Sequence, residues 1–176
     1  MESIHKLENM IEDWLKPIPH LPTEWRKWLV ENVWWITLVG VVLSVMGVFG
    51  LIIVLINAMA FFGSVSSFYS VYGVSTAQTY TGWWILATGV SLVFLAVTIA
   101  IEAMAVKPLK SQKKKGWDLM FLVLLIGAVS QVVNIILNFN PMSFIPNVIF
   151  TAIGVAIGAY FLFELRSYFK GAKLIK

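Results

Sequence analysis

The chain contains no cysteine, which removes disulfides, thiolate nucleophiles and thiolate-bound metals from its chemistry. Histidine is nearly missing too: His5 and His20 are the only two, and both precede the first long apolar run. No His pair or carboxylate cluster has metal-site spacing, and no glycine-rich phosphate loop occurs. The segment "FGSVSSF" lacks the spacing of a nucleophile elbow and has no histidine near it to act as base. No catalytic residue, metal or cofactor is expected, and the sequence reads as that of a non-enzymatic protein.

Charge is also scarce. Only 12% of the 176 residues are charged, about half the share of a soluble domain. The first thirty-one residues hold six acids and no early apolar run, so a cleaved secretory signal is not expected.

Apolar residues are abundant, at 59% of the chain, and the mean hydropathy is +0.84. Crossing a bilayer takes about 20 mostly apolar residues per helix, and four stretches qualify: 33–60, 82–106, 117–138 and 144–165. Lipid cannot satisfy backbone donors and acceptors, so each is helical. The fold class is all-α: a polytopic membrane protein with a four-transmembrane-helix bundle over 33–165. The uncharged segment 61–81, rich in Ser, Gly and Tyr, reads as an interfacial loop.

All thirteen lysines and arginines fall before the first stretch, between the second and third, or after the fourth. The positive-inside bias then places both termini and the loop "KPLKSQKKKG" in the cytoplasm of a multi-pass cell-membrane protein. Within that loop Lys110, Lys113, Lys114 and Lys115 are candidate contacts for anionic lipid headgroups. A nucleic-acid partner is not expected, because a lysine loop beside a span is first of all a topology signal.

Ahead of the spans, Ile4, Leu7, Ile11 and Trp14 recur on one helical stripe while Glu8, Glu12 and Asp13 face elsewhere. Residues 1–16 therefore read as an amphipathic helix. Pro17, Pro19 and Pro22 end it, and a short interfacial helix is expected within 17–32, starting at Thr23 with Trp25 and Trp28 on one side. This preface suits a membrane-surface anchor or a docking arm for a cytosolic partner. Residues 166–176 form a basic tail.

The phrase "WWITLVGVVL" at 34–43 returns as "WWILATGVSL" at 83–92. Under the deduced topology the two copies run antiparallel. Each tryptophan pair marks a water boundary, and the glycine beyond it, Gly40 or Gly89, allows close helix approach. With Gly47, Gly127, Gly154 and Gly158 these are the candidate helix-packing positions, and they point to a homo-oligomer. Polar residues concentrate in the outer halves of the spans. Asn57, Gln131, Asn134 and Asn138 there, with Glu102 near the cytoplasmic end, are the ligand or pathway candidates.

Two functions follow from this pattern. One is a structural or interaction protein that self-associates through small-residue faces. The alternative is an oligomeric transporter or channel with an outward polar vestibule. Glu102 and Glu164 sit in the last turns of their spans, where Lys107 and Arg166 or Lys170 are the expected ion-pair partners.

Overall fold

Among the described residues five α-helices follow one another: α1 (Glu2–Leu15), α2 (Thr23–Val71), α3 (Ala77–Lys110), α4 (Lys114–Leu137) and α5 (Pro141–Leu165). A 3-10 turn at Arg166–Tyr168 closes the series. The computed structural model describes residues 2–71 and 77–169. The side chain of Ile4, residues 72–76 of the expected loop and the tail lysines Lys170, Lys173 and Lys176 lie outside the described residues. Four helices are long and apolar enough to cross a membrane, and the all-α bundle expected from hydropathy is the fold.

Two boundaries differ from the sequence reading. The expected interfacial helix at Thr23 is not separate from the first span: both belong to α2, which is unbroken over 49 residues. No proline interrupts it, and Asn32 is satisfied within it. Asn32 donates from Nδ2 to the Trp28 carbonyl at 2.7 Å and accepts from Trp35 Nε1 at 2.7 Å.

The second difference is in the expected loop: 61–71 continue α2 and 77–81 open α3, so both stretches are helix rather than loop. Ser64 and Ser67 donate to the carbonyls of Ala60 and Gly63, four residues back, at 3.0 and 2.9 Å. A hydroxyl satisfied in this way leaves the helix intact despite its polarity. At 1.5 Å per residue α2 is about 73 Å long, far beyond a hydrocarbon core of about 30 Å.

Neighbouring helices run antiparallel. Phe62 meets Trp84 while Lys110 lies over Trp34, so the two tryptophan pairs of the repeated phrase sit at opposite ends of the bundle. We call the end carrying the α3–α4 turn the basic end and the other the far end. α2 packs along α3 and α3 along α4, whereas α4 and α5 touch over a shorter stretch and α2 and α5 barely meet.

The core sits at the basic end, where Val30, Ala105, Leu109, Trp117, Phe121 and Leu165 are buried together. Trp117 stacks on Phe121 with centroids 5.4 Å apart and meets Phe163 edge-on at 5.4 Å. Such aromatic pairs add about 0.5–1.5 kcal/mol each beyond area burial. The indole N–H of Trp117 donates to the Leu162 carbonyl at 2.7 Å, tying α4 to α5.

The α3–α4 turn is tight because of Gly116. A Cβ there would lie 2.7 Å from the Leu109 nitrogen and 2.9 Å from the Pro108 carbonyl carbon. Gln112 takes the left-handed conformation at φ 48°, and Lys113 N–H donates to the Pro108 carbonyl at 2.9 Å. At the far end Asn140 caps α5, its side chain accepting from Met142 N–H at 3.0 Å, and Pro141 takes the first helical position, where a missing N–H is harmless.

Candidate functional site

Toward the far end α4 and α5 leave a slot of about 790 Å³ between them, with α3 contributing one wall. Helical spacing of three and four puts Gly127, Gln131, Asn134 and Asn138 on one face of α4 and Asn147, Thr151 and Gly154 on one face of α5. Gln131, Asn134 and Asn138 are brought together as expected, joined by Ser91, Asn147 and Thr151.

Half of these polar groups are tied within the protein. Ser91 Oγ donates its one proton toward Asn134 Oδ1 at 2.8 Å or the Ala87 carbonyl at 2.9 Å. Asn134 Nδ2 donates to the Ser130 carbonyl at 3.1 Å, and Asn138 Nδ2 to the Asn134 carbonyl at 3.2 Å. Of these, the Ser91–Asn134 bond joins α3 to α4, and interhelical bonds of this kind contribute about 0.6 kcal/mol each in membrane. No hydrogen bond from the Gln131, Asn147 or Thr151 side chain occurs among the described residues, and these three line the slot. Trp83 Nε1 donates to the Leu137 carbonyl at 2.6 Å, which fastens α3 to α4 while the α4–α5 side stays open.

Two expected members do not join. Asn57 is on α2, which takes no part in the slot, and Glu102 lies toward the basic end of α3, off its lining.

The candidate packing glycines divide by what surrounds them within the chain. At Gly40, Gly47, Gly89, Gly127 and Gly154 an added Cβ meets nothing within 4 Å, so none of the five serves helix packing within this chain. Only Gly158 does: its Cβ would come 2.9 Å from Leu124 Cδ1. Gly116, unremarked in the sequence because it falls beside the lysine run, is the tightest of all.

At the basic end lies an ionic cluster that the sequence reading missed. Glu8 and Glu12 of α1 do not face away from the protein. Both pair with Arg166, just past α5, and Glu8 is only 3% exposed. Glu164 pairs with His20 Nδ1 at 2.5 Å and Arg26 Nε at 3.6 Å, and among the described residues it forms no ion pair with Arg166. Tyr160 donates its hydroxyl to the Pro19 carbonyl at 2.7 Å.

These bonds dock α1 and the proline segment onto the end of α5. They leave Trp14 at 72% exposure and Leu7 and Met10 about half exposed. The available signal was the i, i+4 spacing of Glu8 and Glu12, which puts two carboxylates on one face. Outside the cluster, Lys16 donates to Asp13 at 2.6 Å, and that hydrogen bond, aided by the charge of Asp13, raises the lysine pKa above its ordinary value.

The five lysines of the basic turn are sorted by their neighbours. Lys110 sits over the Trp34 ring at 4.7 Å, and Lys114 reaches Asp118 at 4.0 Å. Among the described residues no three His, Cys, Asp or Glu side chains are gathered to hold a metal ion.

Fold and site together define a class: a multi-pass membrane protein whose four spans form a bundle packed at one end and open at the other. Comparison with protein-family models, curated proteins and solved structures gives no match.

Proposed function

We propose that the chain is a non-enzymatic membrane subunit that works by association. It assembles with copies of itself through the small-residue faces of its spans, with its termini and basic turn in the cytoplasm and its docked arm offering a surface to a cytosolic partner.

The observation that carries this reading is the open space at Gly40, Gly47, Gly89, Gly127 and Gly154. In lipid, helices associate by close backbone approach and interhelical hydrogen bonds rather than by the hydrophobic effect. Glycine facing lipid alone gains nothing from being small and costs about 1 kcal/mol of helix propensity against alanine. Five such positions on the four spans, left unused within the chain, suit a second backbone. The free amides of Gln131 and Asn147 suit it too, since a polar side chain in hydrocarbon needs a partner.

The test is a Gly40→Leu/Gly47→Leu double substitution. Because the native chain has no cysteine, one introduced at the exposed Lys27 carries a dye, and energy transfer between labelled copies in liposomes reports association. Affinity between copies is expected to fall by about tenfold or more, with helical content unchanged because an added Cβ at either position meets nothing within 4 Å in its own chain. Undiminished transfer would remove α2 from the interface.

The amide-lined slot favours a second reading, an oligomeric transporter or channel for a small polar solute. Its mark is a non-lipid molecule held by Gln131, Asn147 and Thr151.

A further inference from the structure

We propose that the α3–α4 turn holds the phosphate of an anionic lipid, with Lys107, Lys113 and Lys115 on the headgroup and the adjoining spans on an acyl chain.

With Lys110 and Lys114 engaged inside the chain, these three lysines remain. They are exposed, form no ion pair among the described residues, and line one cavity of about 540 Å³. The rest of its wall is mainly apolar: Ala103 and Met104 from α3, Pro108, and Leu119 from α4. The cavity thus has a cationic rim and a hydrocarbon floor continuous with two spans. A soluble phosphate has no use for that floor. A lipid whose phosphate meets the rim uses both parts, and each lysine close to a membrane surface strengthens attraction to anionic lipid.

Rigidity is the second observation. The lysine-bearing backbone is fixed by the Gly116 approach to Leu109, by the left-handed Gln112, and by donation from Lys113 and Gln112 N–H to the Pro108 and Leu109 carbonyls at 2.9 Å. Leu109 and Trp117, beside the lysines, are among the most buried side chains of the protein. Three ammonium groups held on such a frame repel one another when empty. They also lose little backbone freedom when an anion binds, which is how preorganisation raises affinity.

The experiment uses the full chain in nanodiscs of mixed phosphatidylglycerol and phosphatidylcholine with identical acyl chains, and counts lipids retained in native mass spectra. The parent is expected to retain phosphatidylglycerol by about tenfold over phosphatidylcholine, given three lysines at the surface. Lys107→Gln/Lys113→Gln/Lys115→Gln should abolish that preference. The charge-matched Lys27→Gln/Lys110→Gln/Lys114→Gln should keep it.

Equal loss in the two triple variants would reduce the effect to diffuse charge and overturn the site, as would a parent with no preference. Excess glycerol phosphate displacing the lipid as well as short-chain phosphatidylglycerol does would mean that the apolar floor plays no part, and would overturn the assignment to lipid.

Discussion

Arg166→Ala protein is expected to keep its four spans and to release α1. Removing the guanidinium takes away the positive charge that Glu8 and Glu12 share against the end of α5. Breaking one side of a buried pair costs about 3–5 kcal/mol when the other charge must stay buried. Here it need not, because the Pro17–Pro22 segment allows α1 to swing into water and rehydrate both carboxylates. The loss is therefore capped at the free energy of docking, which we put at about 3 kcal/mol, or on the order of a hundredfold in the docked-to-free ratio.

Proteinase K cleavage ahead of Thr23 in proteoliposomes should accelerate to match, while fragments of the spans stay protected. Lys16→Ala is the control. It removes the exposed Asp13–Lys16 pair, and such pairs contribute at most about 1 kcal/mol, so cleavage should hardly change. Unaltered cleavage of the Arg166→Ala protein would mean that α1 is held by Ile11 and its apolar neighbours alone.

Gly116→Ala is expected to destabilise strongly, against the usual sign. A glycine inside a helix normally gains about 1 kcal/mol on becoming alanine. At Gly116 the new methyl would press on backbone atoms of Leu109 and Pro108 at 2.7 and 2.9 Å. Backbone cannot rotate away as a side chain can, so α4 must move off α3 at the point where Leu109 and Trp117 are packed. We expect a net cost of about 3 kcal/mol, the upper range for overpacking, seen as a lowered thermal midpoint in detergent. Gly63→Ala, where an added Cβ meets nothing within 4 Å, should leave the midpoint equal or slightly higher. A Gly116→Ala midpoint at or above the parent's would show that the turn relaxes freely.

The spans were legible because hydrocarbon imposes one demand, length without charge, which sequence states directly. The slot was legible for a related reason: Gln131, Asn134 and Asn138 repeat at helical spacing, and amides in hydrocarbon are conspicuous. The extension of α2 through Ser64 and Ser67 was hidden. Serine in a Gly-rich stretch signals a loop unless its hydroxyl finds the carbonyl four residues back, and sequence does not record which occurs.

The ionic cluster was hidden for another reason. Glu8 and Arg166 are 158 residues apart, and an acid on the polar side of a short helix faces water by default. Only the fold brings an arginine to that face. The His20 and Arg26 partners of Glu164 were hidden in the same way, because Arg166 was nearer to hand in sequence.

The most direct test of the central claim is native mass spectrometry of the unsubstituted protein released from lipid nanodiscs, reading subunit number and retained molecules together. A defined oligomer carrying only lipid is the expected result for a subunit that works by association. A monomer would contradict it, and an oligomer holding a reproducible non-lipid solute would transfer the function to the slot at Gln131, Asn147 and Thr151.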